Sequence, residues 1–279
     1  MIFASLVGTT SCRAAKPAAE IEAPALNIIT RTIKTSGQFN AVKAASIFNV
    51  EIKQGPAKVE ITSSPEAIDA TKIEVLGNIL SISLSKNSSS RNGFPEIKVC
   101  VSMPDIRLLD GSGAASFSIT SKVNVKNLKI RGAGACSFRF DNITCTDLEI
   151  DLSGAANVDI PRVDCNECEL DISGGSSVDI VSISCPQLGA EASGAGDISI
   201  SDIKCDEIEV EASGGSKVSI NGIDATDVEC EASGAAHISV EGKCNKVSLK
   251  ATGASKISAK RLQRHTIVTN KSSVATIKS

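Results

Sequence analysis

The chain has 279 residues, with 29 Lys and Arg against 32 Asp and Glu, so its net charge is −3 and nothing recommends a nucleic-acid partner. Trp and Tyr are absent and only seven Phe occur, which removes the aromatic faces on which glycan grooves and single-strand nucleic-acid sites stack their ligands. No run of eighteen apolar residues exists, which excludes an ordinary transmembrane helix, and one elongated domain is as reasonable as two at this length.

Residues 1–12 read MIFASLVGTTSC. A short apolar run, then small residues, then Cys has the form of the tail of a bacterial lipoprotein signal, with Cys12 as the acylated residue. The basic n-region is missing, so either the true start lies upstream or Met1 is internal to the signal. The competing reading is an unstructured N-terminus with one chance Cys. Residues 13–30 follow as a tether, small, charged and proline-bearing from Arg13 to Pro24. Lipid, tether and body together describe a protein hung from a membrane of the cell envelope.

Residues 31–104 alternate apolar and polar in short runs: Val50 to Ile52, Val59 to Ile61, Ile73 to Val75, Ile79 to Leu84 and Ile97 to Val101. Gly55-Pro56, Ser63-Ser64-Pro65, Gly77-Asn78 and a polar loop from Lys86 to Phe94 separate them. Gly77-Asn78 between two alternating runs signals a hairpin. A repeat stack needs an atypical first unit over its open apolar end, and this region is expected to be that irregular β cap.

Residues 105–279 carry a twenty-residue repeat. Its anchor is a small turn: Ser153-Gly154-Ala155, Ser173-Gly174-Gly175, Ser193-Gly194-Ala195, Ser213-Gly214-Gly215 and Ser233-Gly234-Ala235. Related turns lie at Gly113, Gly134 and Gly253, with outer steps of twenty-one and nineteen. Within one copy Leu148, Ile150 and Leu152, then Val158 and Ile160, then Val163 and Cys165 alternate with polar residues. Pro161-Arg162 and Asn166-Glu167 divide the pieces. Three short strands per fixed period describe an all-β fold, a single-stranded parallel β-helix or solenoid, with rungs of about twenty residues stacked about 4.8 Å apart. The cap and coil, 31–279, form one continuous domain. Toward the end Arg261 to His265 breaks the pattern, and Asn270 stands where a corner glycine is due. The last strand edge is open, which invites homo-oligomerisation through the C-terminal coil.

Ten cysteines would suit a disulfide scaffold, but Cys145, Cys165, Cys185, Cys205 and Cys244 share one column with Ala225. A Cys interchangeable with Ala at an inward position behaves as a small apolar residue, so a buried thiol ladder is expected. Cys165 and Cys168 read C-x-x-C without a second pair or nearby His, so no metal site is assigned and no cofactor is expected.

Two outward columns are acidic. One reads Glu149, Glu169, Gly189, Glu209, Glu229; the other Asp151, Asp171, Glu191, Glu211, Glu231. Lys129 and Arg131 precede them, and Ser248 and Lys250 follow. These nine carboxylates are either a solvated face that keeps the sheet from aggregating or a surface for cations or a basic partner. No Gly-Gly-x-Gly-x-Asp nonapeptide accompanies them, so a dedicated calcium roll is excluded. An enzyme would need a singular pair of carboxylates in a groove; these form a repeating ladder. His237 occupies an outward column with Asn157, Ser177, Asp197, Lys217 and Lys256, and the recurring Ser is a turn former beside Gly. No catalytic residue is assigned.

The runs Gly37 to Val42, Phe48 to Gly55, Leu76 to Ile82 and Val99 to Pro104, leading into Gly111-Ser112-Gly113-Ala114, resemble the GIN domain. That family is labelled an auto-transporter adhesin head and is common in Bacteroidetes envelope lipoproteins. The resemblance covers the chain from Gly37 onward and implies a β-helical fold, with no family catalytic residues to carry over. The residues after Cys12 lack the acidic cluster associated with surface export in such lipoproteins, which leaves periplasmic and surface display open. The expected function is that of a non-enzymatic envelope lipoprotein, an adhesin or scaffold with an envelope or extracellular protein or glycan as ligand. A polysaccharide-processing enzyme and a cation-dependent structural protein are the alternatives. Mass spectrometry of the mature N-terminus should find an acylated Cys12; an unmodified chain starting before Cys12 would refute the anchor.

Overall fold

The computed structural model describes residues 27–35, 37–85, 94–272 and 274–279; Cys12, the expected signal and most of the expected tether lie outside them. The described residues form twenty-four strands and one short helix, wound as a β-solenoid of about eight turns. Alternation does the winding. In the strands Asp147–Gly154 and Asn157–Asp164, Leu148, Ile150, Leu152, Val158, Ile160 and Val163 are buried while Glu149, Asp151, Asn157 and Asp159 reach outward. Successive rungs pair parallel and in register, so Ile150, Leu170, Ala190, Val210, Cys230 and Leu249 stack as one inward column. Each rung thereby covers the apolar rim of the one before it.

The corners are tighter than a turn propensity alone requires. Gly113, Gly134, Gly154, Gly174, Gly194, Gly214, Gly234 and Gly253 all adopt φ between 68° and 94°. From Gly134 onward the residue after each glycine donates its N–H to the glycine carbonyl one rung back: Ala155 to Gly134 at 2.8 Å, Ala195 to Gly174 and Gly215 to Gly194 at 2.7 Å. A Cβ at Gly174 would sit 2.6 Å from the Gly154 carbonyl oxygen. Glycine is therefore required twice, once by the left-handed backbone and once by the contact between rungs. The hydroxyls of Ser173 and Ser193 donate to Leu152 O and Ile172 O at 3.3 and 3.4 Å.

Two irregularities near the end have local causes. The nineteen-residue step is taken up where Ile220 pairs with Val240 but Ile223 pairs with Gly242. A Cβ on Gly242 would fall 2.3 Å from Ile223 N. The stretch Arg261 to His265, expected to break the coil, continues it through Gln263. One residue is regained between Ser258 and Arg261, Leu262 is buried, and Arg261 pairs with Glu241 at 3.3 Å. A one-residue bulge inverts the alternation and hides the strand from a period-two reading. Asn270 is not a corner residue: it pairs with Lys250 within a strand and lacks a positive φ.

The region 31–104 is only partly a cap. Ala41–Ser46 and Phe48–Gln54 stack in parallel register against Leu108–Gly113 and Ser116–Ile119, which makes them a true rung. Ser46, at φ 92°, pairs with Gly113 and fills the corner column there. On the other side of this rung lie Ile79–Leu84 and Ile97–Met103, also parallel. Ile29–Ile33, Lys58–Ser63 and Thr71–Leu76 add antiparallel strands, the last through the Gly77-Asn78 hairpin. Pro65–Ala70 forms an unexpected helix, with Ser64 accepting from Ala67 N at 3.3 Å and Pro65 in the first turn. Beside the cap, Glu51 lies 2.8 Å from Lys53 and 2.7 Å from Lys98. Hydrogen bonds from these two ammonium groups hold its pKa at about 2.

Gly194→Ala should lower stability by about 1–3 kcal/mol through left-handed strain and crowding against Gly174. Gly189→Ala, where an added Cβ meets nothing within 4 Å, should change stability little. Urea denaturation reads both; equal effects would show that the corners are not specially constrained.

Candidate functional site

The solenoid presents one wall built from the strands that precede each corner. Register places Glu149, Glu169, Gly189, Glu209 and Glu229 in one outward column, and Asp151, Asp171, Glu191, Glu211 and Glu231 in the next. All nine expected carboxylates therefore share a face. A third column escaped the sequence reading: Asp147, Glu167, Gln187, Glu207 and Asp227, followed by Lys246. It repeats with the same period, but Glu167 sits at the Asn166-Glu167 break between alternating runs, where the sequence signals a turn. Residues 141–236 hold 21 carboxylates against three Lys and Arg, whereas residues 237–279 hold one carboxylate against nine.

The wall is neutralised at its ends and bare in its middle. Lys129 contacts Glu149 and lies 2.9 Å from Asp151, and Arg131 is 3.3 Å from Asp151. At the other end Lys250 is 2.7 Å from Glu231. Between them Glu169, Asp171, Glu191, Glu209, Glu211 and Glu229 have no ion-pair partner among the described residues. Partial burial, then Asp171 and Glu211 on the flanking rungs, raise the Glu191 pKa. Like charges at rung spacing disfavour ionisation of the middle member.

One rung departs from its neighbours. Gly189 sits in an ordinary strand conformation with open space where a Cβ would be, so the fold does not demand glycine there. Its missing side chain leaves a notch of about 220 Å³ lined by Glu169, Asp171, Gly189, Glu191, Glu209 and Glu211. A one-side-chain gap in a carboxylate wall has the size and charge to receive an ammonium or guanidinium group.

The cysteines behave as the column pattern predicts. Cys165, Cys185, Cys205 and Cys244 are buried, Cys145 is half-buried, and all are free thiols. Among the described residues no group of three or more His, Cys, Asp or Glu is placed to hold a metal ion. His237 lies in the outward column with Lys217 and Lys256, and burial followed by Lys256 lowers its pKa. No described helix is long and apolar enough to cross a membrane.

Comparisons with known proteins agree with this architecture. A crystal structure described as a putative adhesin from Parabacteroides merdae superposes with a TM-score of 0.66 at 18% identity, covering 88% of this chain and 96% of that one. A putative adhesin from Bacteroides fragilis gives 0.60 at 19% identity, covering 91% and 98%. A putative lipid binding protein from Parabacteroides distasonis gives 0.61 at 15% identity, covering 91% and 97%. At these identities the likeness concerns the fold. No curated protein matches the sequence. The family model described as "putative auto-transporter adhesin, head GIN domain" matches residues 38–204 and 180–278. With nearly the whole solenoid inside those two matches, the chain belongs to the GIN-domain family.

Proposed function

We propose that this chain is a non-enzymatic, lipid-anchored protein of the cell envelope that acts as an adhesin or scaffold and engages a basic protein partner through its acidic wall. The observation that carries this reading is the set of six unpaired carboxylates facing one way across four rungs, interrupted only at Gly189. A wall that served solubility alone would gain from charge of either sign; this one keeps a single sign over its middle and places cations at its limits. Family membership supports the adhesive role. The anchor rests on the Met1 to Cys12 pattern. Acid–base chemistry needs a singular arrangement of donors, and the carboxylates here recur at equal spacing, which supports a binding role.

A lysine-rich peptide serves as the probe. Binding to the full chain should weaken steeply with salt and fall at least tenfold in Glu209→Lys/Glu211→Lys, while Arg139→Glu on another wall leaves it unchanged. Affinity unaltered by the double reversal would sink the proposal. Millimolar Ca²⁺ should also raise the melting temperature over EDTA if divalent cations shield the wall; an identical value would remove the cation reading.

Self-association through the C-terminal coil is a second reading, favoured by the edge strand Thr266–Lys271, which is exposed along its length and, among the described residues, pairs only with Lys246–Ala251 on its inner side. Stacking two such ends brings two sets of nine Lys and Arg together. Dimers should therefore appear in sedimentation only at high ionic strength, and a monomer at every salt concentration would refute the contact.

A further inference from the structure

The cations of this chain are grouped as its carboxylates are. In the strand Lys256–Gln263, Ile257 and Ala259 are buried while Lys256, Ser258 and Lys260 alternate outward. On the next rung Lys278 stands in register with Ser258. Three exposed ammonium groups therefore share one face of the last two rungs, and among the described residues none has an ion-pair partner. One rung back, Lys256 and Ser258 stack on His237 and Ser239, so no carboxylate answers them there. Glu241, the single carboxylate of residues 237–279, is taken by Arg261 at 3.3 Å. This face follows the glycine corner, whereas the acidic wall precedes it, so one copy presents both surfaces at once.

The acidic wall has a matching form. Hollows of about 220 and 310 Å³ lie on either side of Gly189, and Glu169 and Glu209 border both. Lysines and carboxylates sit on equivalent lattices, in-register parallel strands about 4.8 Å apart. Lys256 and Lys278 are offset by one rung and one outward position along the strand; Glu209 and Glu191 are offset by the same amount.

We infer that the basic partner of the acidic wall is a second copy of this chain, which docks Lys256, Lys260 and Lys278 over the Gly189 notch. This rests on the wall being a docking surface for a basic protein, as proposed above, and names that protein. A net charge of −3 lets two copies approach with little overall repulsion, while the opposed patches attract. An anionic lipid surface would also attract the lysines, but it would leave the wall carboxylates unanswered; a second copy answers both. The contact joins two different surfaces, so it links copies head to tail into rings or open rows.

The test is sedimentation velocity of the full chain carrying Cys12→Ala, at about 0.02 M and about 0.5 M salt. Association should appear at low salt and be at least tenfold weaker at high salt, the reverse of end-on stacking. Lys256→Glu/Lys278→Glu should be monomeric yet bind the lysine-rich peptide as the parent chain does. Glu209→Lys/Glu211→Lys should lose both interactions. Mixed together, the two variants should form complexes that neither forms alone, since one keeps the wall and the other keeps the lysines; that result also shows that both are folded. A parent chain that stays monomeric at low salt while binding the peptide would overturn this inference and leave the wall reading standing. Loss of peptide binding as well would remove both. Association that strengthens with salt, or that survives Lys256→Glu/Lys278→Glu, would also overturn it. So would a monomer that sediments with phosphatidylglycerol vesicles, which would assign the lysines to a lipid surface.

Discussion

The structure depends on one close approach: at each corner from Gly134 to Gly253 a backbone N–H reaches the glycine carbonyl of the previous rung, at 2.7–2.8 Å. That contact exists only where no Cβ intervenes, because an added Cβ would lie 2.6–3.0 Å from the oxygen it approaches. The corner is thus where register is set. A strand could slide by two residues and keep its apolar face inward; a glycine corner cannot slide without losing both its left-handed backbone and its hydrogen bond. Twenty-residue spacing follows from holding that point fixed while three short strands complete the turn.

Register this strict places like upon like. Inside, aliphatic side chains stack into columns, and cysteine joins them wherever a small apolar group suffices. Outside, the same rule stacks carboxylates, which is a cost unless something cationic answers them. Lys129, Arg131 and Lys250 answer at the margins, and nothing among the described residues answers in the middle. The acidic wall and the thiol column are therefore two products of one geometry, one facing water and the other facing inward. Between Glu149 and Glu231, among the described residues, Gly189 alone interrupts the two columns first read as acidic, and it does so without a backbone reason.

Much of this was legible in the sequence because it repeats. The corners, the inward columns, the Cys column and nine of the wall carboxylates could be counted off at a period of twenty. What escaped was whatever occurs once or shifts phase. The rung at 41–54 precedes a long excursion and carries Ser46 at its corner, so it lacked the glycine signature. The helix at Pro65–Ala70 is too short to show a period, although Ser64-Pro65 marks its start. The outermost wall column begins beside a turn, so Glu167 read as a connector. The single added residue before Arg261 inverts the alternation, and Asn270 lies within a strand rather than at a corner.

The rung at 41–54 is held on both faces, by Ile79–Leu84 and Ile97–Met103 on one and by Leu108–Gly113 and Ser116–Ile119 on the other. Its neighbours come from chain that follows it, so peeling from that end means dismantling a woven knot of strands at once. The opposite extremity ends in a strand bonded along one edge. The molecule is consequently a zipper with one riveted end: thermal opening starts at the C-terminal rungs and travels toward the N-terminal strands, which are the last to let go.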